Sequence, residues 1–406
     1  MRLHARKPYS RQAGFTLTEI LVALALGLFL TGVVIAIFTS SQSTFRTVNE
    51  VSRSQENTRF ALSFLRRNMR MAGYTNCSDD VSKRNFLDLT SAAYIPSMEH
   101  AVFGWEFNGT SAGDDYTLNY ESLRDDFVQA DVTAARANNT AGADSWRSRF
   151  IRSVAGTTLT NVTLPDEIVD YEPLRGSDII AVSISTPLEI FVEDQFTQTN
   201  PILDIVDFEG DSTPSDVDQG QILKIADCSS VDLFQNSATD ADTFIQIDDG
   251  GAAPGNDFNA TFAWQKSWGE FSNIYAVDTS VFFIGTGAGG RPSLYQWTSG
   301  CGLAAGCDAD AVELVEGVEN MQILYGEDTS NDGVVNEYVS ADQVSNYGNV
   351  KSVKIGLIMR SPDNGATGID DTLTYTLLDT TTINPPDDNY LRYVSNATVY
   401  LRNTGL

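Results

Sequence analysis

The sequence has few of the residues on which most catalytic and metal sites depend. Its 406 residues include two histidines and four cysteines. It has no H-E-x-x-H pattern and no Cys-x-x-Cys pair that would suit zinc. Its one G-x-S-x-G match, GTSAG at 109–113, is followed by the β-prone run DYTLNY instead of the helix that a nucleophile elbow requires. Nothing in the sequence therefore points to an enzyme, and we expect neither a bound metal nor a cofactor.

Positive charge is also scarce. The chain has 26 Lys and Arg residues against 54 Asp and Glu, which gives a formal net charge of −28. The basic residues that cluster do so in two places, at Arg2, Arg6, Lys7 and Arg11 and at Arg66, Arg67 and Arg70. Because nucleic acids are bound through a basic stripe or patch, we expect no direct binding of nucleic acid.

Long hydrophobic runs are absent except for one. Residues 15–38, FTLTEILVALALGLFLTGVVIAIF, contain one charged residue and form a helix long enough to cross a hydrocarbon core of ~30 Å. The preceding leader is basic, so the positive-inside rule leaves it in the cytoplasm and delivers the chain after residue 38 outside. A secretory signal is cut after its apolar run, whereas the small residue Gly14 lies before it. Cleavage between Gly14 and Phe15 would leave the apolar segment in the mature protein.

Glu19 is the one charged residue of the apolar segment. Insertion scales put the cost of a charged side chain at the centre of a membrane helix at roughly 2.5–3.5 kcal/mol. The Glu19 carboxylate therefore needs a partner. After cleavage, the α-amine of Phe15 would lie one helical turn away, and the amine of a stacked neighbouring chain would be equally close. The alternative is a plain membrane anchor in which Glu19 is protonated or extends to the membrane surface.

Residues 14–19, GFTLTE, resemble the type IV prepilin cleavage motif, in which Gly precedes Phe and Glu is the fifth residue of the mature chain. The resemblance implies cleavage after Gly14 by the inner-membrane prepilin peptidase and N-methylation of Phe15. It also implies that Glu19 docks against the Phe15 amine of an adjacent subunit during polymerisation.

After residue 38 the pattern becomes amphipathic. Apolar residues recur at steps of three and four, at Phe45, Val48, Val51, Leu62, Leu65, Met69 and Ala72. Gly73 is a suitable C-terminal cap. Short β-prone runs separated by Gly, Asn, Asp and Pro then dominate the chain. We therefore predict a leader at 1–14, one helix at 15–73 and a β-rich domain at 74–406. The fold class is α+β, with the helix packed on an antiparallel, pilin-like sheet that carries large loop insertions.

The four cysteines all follow the apolar segment, on the side where they can oxidise. Four cysteines allow three pairings. Cys301 and Cys307 bracket the tight loop GLAAG, which favours a local bridge and leaves Cys77 to pair with Cys228.

Two further motifs have a structural alternative. The segment GTGAGG at 285–290 resembles a phosphate loop, but Pro292 and a β-prone run follow it instead of a helix, so a hairpin is predicted. The segment DTSNDGVVNE, with Asp328 and Asp332, resembles a calcium loop. Its twelfth position is Val339 instead of the Glu that an EF-hand requires, so a turn between strands is favoured.

Blocks along the whole chain resemble the PilW family of minor pilins, namely TRFALSFLRRNMRMAGYTNC, GSDIIAV, ILKIADCSSVDLF, RPSLYQW, AVELVEGVENMQILYGED, VKSVKIGLIMRS and VYLRN. The resemblance implies a low-abundance subunit anchored in the bacterial inner membrane, with its C-terminal domain in the periplasm. With other minor pilins and the major pilin, such subunits initiate pilus assembly and lie at the tip, often with a PilY-type adhesin. These pili serve twitching motility, adhesion and DNA uptake.

Two other interpretations remain open. A type II secretion pseudopilin of the GspJ kind shares the leader, the helix and a VEGV-like block, although such subunits are usually much shorter. A membrane-anchored surface protein or enzyme that never polymerises would retain its leader and would leave Glu19 without a role.

Overall fold

The computed structural model describes residues 14–74, 82–91, 93–118, 146–150, 152–154, 157–159, 162, 164–169, 171–192, 197–207, 217–239, 244–251, 253–258, 262–269, 272–299, 311–364, 370–379 and 381–403.

A single long helix, α1 (Leu17–Met71), opens the described chain with 55 residues. At 1.5 Å per residue it is about 80 Å long, and it continues without a break through Gly27 and Gly32. It ends where the sequence predicts. Ala72 leaves the helical conformation and Gly73 has a φ of 69°, a left-handed conformation that favours glycine. A Cβ on Gly73 would lie 2.8 Å from the Cβ of Ala101, so the close approach of the chain also requires glycine.

The rest of the described chain is mainly β-structure. Its short helical elements are α2 (Asp166–Val169) and two 3-10 turns, Pro96–Met98 and Tyr347–Asn349. Its strands are β1 (Ser82–Asn85), β2 (Val102–Phe107), β3 (Asp115–Thr117), β4 (Trp146–Arg147), β5 (Arg152–Val154), β6 (Thr157–Leu159), β7 (Ile179–Val192), β8 (Ile202–Asp207), β9 (Ile222–Ala226), β10 (Ser230–Gln235), β11 (Phe244–Gln246), β12 (Asn273–Thr286), β13 (Pro292–Thr298), β14 (Val312–Glu316), β15 (Val318–Glu327), β16 (Glu337–Val339), β17 (Val350–Arg360), β18 (Tyr375–Leu377), β19 (Thr381–Asn384) and β20 (Arg392–Tyr400).

Two sheets form the body of the domain. The larger has the order β1-β10-β9-β12-β7-β2-β4, with β13 and β14 joined through β12, and β8 and β11 joined through β7. The smaller has the order β16-β15-β17-β20 and is antiparallel throughout. The α+β class is confirmed. The sheets are not purely antiparallel, however, because β1 runs parallel to β10 and β3 runs parallel to β19.

A single residue, Gly317, connects the last strand of the larger sheet to the first strand of the smaller sheet. It separates β14, in the larger sheet, from β15, in the smaller one. Its φ is 86°, and a Cβ there would lie 2.7 Å from the backbone oxygen of Arg360. Its N–H donates to Pro292 O at 2.8 Å, and its own oxygen accepts from Arg360 N at 2.8 Å. Glycine is therefore required where one strand ends and the next begins.

The main hydrophobic core lies between the C-terminal half of α1 and the two sheets. A second core surrounds Phe234, Trp264 and Trp268 on the β8–β11 side of the larger sheet. Stretches rich in Ala, Asn, Asp and Gly near 130–145 and 236–260 predict surface loops. The prediction for 236–260 is partly wrong, because this stretch contains β11, which pairs with β8. The predicted loop at 130–145 lies outside the described residues.

Candidate functional site: the uncovered part of the N-terminal helix

The globular domain does not bury the N-terminal half of α1. All its residues from Leu17 to Arg46 are exposed, and the first buried residue of the helix is Glu50. Phe29 and Phe38 are 69% and 61% exposed. This stretch is long and apolar enough to cross a membrane, and none of it is buried within the protein. An exposed apolar surface of this size belongs in lipid or against another protein.

The C-terminal half of α1 packs on the domain along the predicted apolar stripe, of which Leu62, Leu65, Met69 and Ala72 are buried. The same sequence periodicity includes Phe45 and Val48, but these two side chains are not buried. They are 70% and 59% exposed, because the domain reaches the helix only from Glu50 onward.

Polar contacts hold the helix against the domain where the two first meet. The hydroxyls of Thr58 and Tyr393 hydrogen-bond to each other, and Asn57 Nδ2 donates to Glu316 O at 3.0 Å. One turn earlier, Glu50 Oε2 accepts from Asp363 N at 3.3 Å. Because these bonds have specific directions, they set the rotation of α1 about its axis and so decide which face stays uncovered.

The predicted processing and docking residues lie together at the N-terminal end of α1. Thr16 caps the helix in a capping box: Glu19 N donates to Thr16 Oγ1 at 3.3 Å, and Thr16 N donates to Glu19 Oε2 at 2.9 Å. The Glu19 carboxylate is thereby held against Thr16, the residue that follows Gly14 and Phe15. Phe15 is 84% exposed. Sequence reasoning missed the role of Thr16, although T-x-x-E before an apolar run is a readable capping signal.

The two motifs with a structural alternative both connect strands. Residues 287–291 join β12 to β13, and Gly287 N donates to Arg291 O at 2.7 Å. The acidic loop joins β15 to β16, and Asp328 accepts from Gly333 N at 2.7 Å and from Asp332 N at 3.2 Å. Both predicted hairpin connections are confirmed. Across the described residues, no three His, Cys, Asp or Glu side chains are grouped to hold a metal ion.

Cys228 is disulfide-bonded in the structure. Cys77, Cys301 and Cys307 lie outside the described residues. The pairings of Cys77 with Cys228 and of Cys301 with Cys307 therefore stay predictions.

A buried pair of carboxyl groups was not anticipated from the sequence. Glu106 and Asp178 are each 2% exposed. Asp178 accepts from Phe107 N at 3.1 Å and from Ile323 N at 2.8 Å, and so links β2 to β15. Burial raises the pKa of Asp178 to about 7. Burial and the nearby carboxylate of Asp178 raise the pKa of Glu106 well above its usual value. This burial gives the pair a structural role in joining the two sheets.

Two family models match the chain at its two ends. Residues 9–37 match the prokaryotic N-terminal methylation motif, which together with the uncovered apolar helix and the β-rich domain defines a type IV pilin-like protein. Residues 281–403 match the type IV pilus-assembly protein W family. Together the two matches support a type IV pilin-like protein similar to the PilW family, with an apolar N-terminal helix suited to anchor it in a membrane. No curated protein and no solved structure matches it.

The second match has a clear structural counterpart. Residues 281–403 run from the end of β12 to just beyond β20. They include the sheet change at Gly317, the whole of the smaller sheet, and Tyr393, which contacts α1. The matched part therefore includes three of the strands that contact the helix, β14, β17 and β20, while β7, outside the match, contacts it as well. The two matches together support prepilin processing and interaction with other pilus components.

Proposed function

We propose that this minor pilin initiates type IV pilus assembly and lies in the tip complex, where it supports pilus biogenesis, twitching motility and adhesion. Its role is structural, not catalytic. The observation that carries the proposal is the uncovered part of α1, from Leu17 to Arg46, which the domain leaves free for helices of neighbouring subunits.

The geometry of that face suits helix packing. Gly27 and Phe45 are separated by 18 residues, which is five helical turns, so they lie on one face. Phe45 is turned by roughly 160° from the buried Leu65. Glu19 and Thr31 line the same groove as Gly27, and a Cβ on Gly27 would meet nothing within 4 Å. Small residues at such steps let helices approach closely in a membrane.

The processing steps follow from the same end of the helix. We propose that the prepilin peptidase cuts between Gly14 and Phe15 and that Phe15 is N-methylated. The new amine then pairs with Glu19 of a neighbouring subunit. The leader, residues 1–14, lies in the cytoplasm and the domain, residues 74–406, in the periplasm. The partners are the major pilin, other minor pilins and, at the tip, a PilY-type adhesin.

A type II secretion pseudopilin is the competing assignment, and the family match over residues 281–403 favours the pilus system. The assignment is tested by deleting the chain and scoring both systems in one strain. We expect loss of surface pili and of twitching, with secretion of type II substrates unchanged. Loss of secretion with normal piliation would overturn the proposal.

A further inference from the structure

Basic side chains gather around a cavity at the C-terminal end of α1, although the chain as a whole carries a formal charge of −28. The cavity has a volume of about 70 Å³, and its lining includes Lys83, Lys224, Asn85, Glu99 and His100. Within so acidic a protein, a cavity whose lining has two lysines and Arg84 against one carboxylate is an exception to the general charge pattern.

Lys224 lies on β9 and is 5% exposed. Its ammonium donates to Ser185 Oγ at 2.6 Å and to the backbone oxygen of Tyr74, and it lies 5.1 Å from the ring centroid of Tyr275. In the part of the chain that the structure describes, it makes no ion pair. Buried lysines are usually paired with an acid, so the missing counter-charge needs an explanation.

The second cation makes the imbalance larger. Lys83 lies on the exposed strand β1. Burial, and then repulsion from the Lys83 ammonium, lower the pKa of Lys224 to about 7. Glu99 supplies one carboxylate to the same lining, and its Oε2 accepts from Asn85 Nδ2 at 3.0 Å and from Tyr94 Oη at 3.1 Å, so one negative charge faces two ammonium groups. An anion between the two ammonium groups would remove their repulsion.

We propose that this cavity binds a small oxyanion, a carboxylate or phosphate group, between Lys83 and Lys224. The volume is several times the roughly 10–15 Å³ that one water molecule needs on the same measure, so the cavity has room for one such group. Lysine binds phosphate and carboxylate as a point charge. Because the anion favours the charged form of Lys224, binding takes up a proton above pH 7 and weakens as the pH rises. The inference does not depend on pilus assembly.

The test titrates the full chain in detergent with inorganic phosphate and, separately, with acetate, at constant ionic strength set with sodium chloride. We expect saturable binding in calorimetry, with proton uptake seen as a dependence of the heat on the buffer. Phosphate binding alone would identify a phosphate group as the ligand, and binding of acetate would identify a carboxylate.

Three variants localise the binding. Lys83→Gln and Lys224→Met should each weaken it by about tenfold or more, because each removes a charge-assisted contact. Lys354→Gln is the matched control, since that ammonium lies over the ring of Tyr338, 3.8 Å from its centroid. Lys83 is exposed, so its replacement leaves the fold intact, and the melting temperature checks the fold of each variant.

The proposal is overturned if the wild type binds neither probe, or if all three variants bind as the wild type does. A further control replaces Asp79 and Asp80, which precede Lys83 in the sequence, with Asn. Binding that appears only in that variant would mean that the chain's own carboxylates fill the cavity, and it would also overturn the proposal.

Discussion

Thr16 and Glu19 hydrogen-bond through their side chains to each other's backbone N–H groups, at 3.3 Å and 2.9 Å. Glu19 therefore closes the first turn of the helix in the single chain, and in our account its charge pairs with a neighbouring Phe15 amine in the assembled pilus. Because the first role needs only an acceptor and the second needs a negative charge, the two roles can be separated by substitution.

Glu19→Gln should fold and be processed but should enter pili poorly, because glutamine also completes a capping box but has no charge. Glu19→Ala should lose the cap as well. The measurement is immunoblotting of membranes and of sheared pili, with Glu56→Ala as a control on the exposed, extramembrane part of α1. Normal amounts of Glu19→Gln in sheared pili would contradict the role of the charge.

Leu65→Ala should destabilise the domain by about 2–5 kcal/mol, because it leaves a cavity under a fully buried side chain. The control is Leu28→Ala, which removes the same atoms from a side chain that is 72% exposed. Urea unfolding of the purified protein in detergent measures both. An equal loss of stability in the two variants would show that the helix does not pack as described.

Gly317→Ala should also destabilise the domain, by roughly 1–3 kcal/mol from its left-handed backbone and further from the close Arg360 oxygen. Gly290→Ala has the same sign of φ, 71°, but no atom within 4 Å of its Cβ. The smaller loss of stability expected for Gly290→Ala measures the cost of the left-handed backbone alone. The additional loss for Gly317→Ala measures the clash with the Arg360 oxygen. The difference in melting temperature between the two variants is the readout, and equal melting temperatures would rule out the close approach at the sheet change.

The buried pair of Glu106 and Asp178 predicts a specific pH dependence. Both folded-state pKa values are raised, so the folded chain holds these protons more tightly than the unfolded chain. The stabilisation is fully present below about pH 4, the unfolded pKa of a carboxyl group. It is lost as the pH rises through about 7 for Asp178, with a slope of up to ~1.4 kcal/mol per pH unit for each proton.

Glu106→Gln removes one of the two charges, so the free energy of unfolding should fall less steeply between pH 4 and 8 than in the wild type. Asp387→Asn, at an exposed position, serves as the control and should follow the wild-type curve. If Glu106→Gln also follows the wild-type curve, the pKa of Glu106 is not raised in the folded chain.

The parts of this molecule that the sequence predicts are those that depend on local chemistry. Neighbouring residues alone predict the apolar run at 15–38, the helix end at Gly73 and the hairpin after Thr286. The exposure of Phe45 is not, because it depends on where a domain formed much later in the chain begins to cover the helix. The ammonium of Lys224 and the carboxyl group of Asp178 are likewise buried by strands distant in sequence, which periodicity alone does not reveal.

Some features of the candidate site can likewise be predicted from adjacent residues, and others depend on the fold. Gly14, Phe15 and Glu19 were recognised from six consecutive residues, and Thr16 was equally readable as a cap. The contact between Thr58 and Tyr393, which orients the helix on the domain, joins residues from the two ends of the chain. Only the folded structure brings them together.

The most direct test of the account is the N-terminal sequence and intact mass of this chain recovered from sheared pili. The account predicts a chain that begins at N-methylated Phe15 and is present in the pilus fraction. A chain that begins at Met1 and is found only in membranes would contradict it, because such a chain would be an anchored surface protein that does not polymerise.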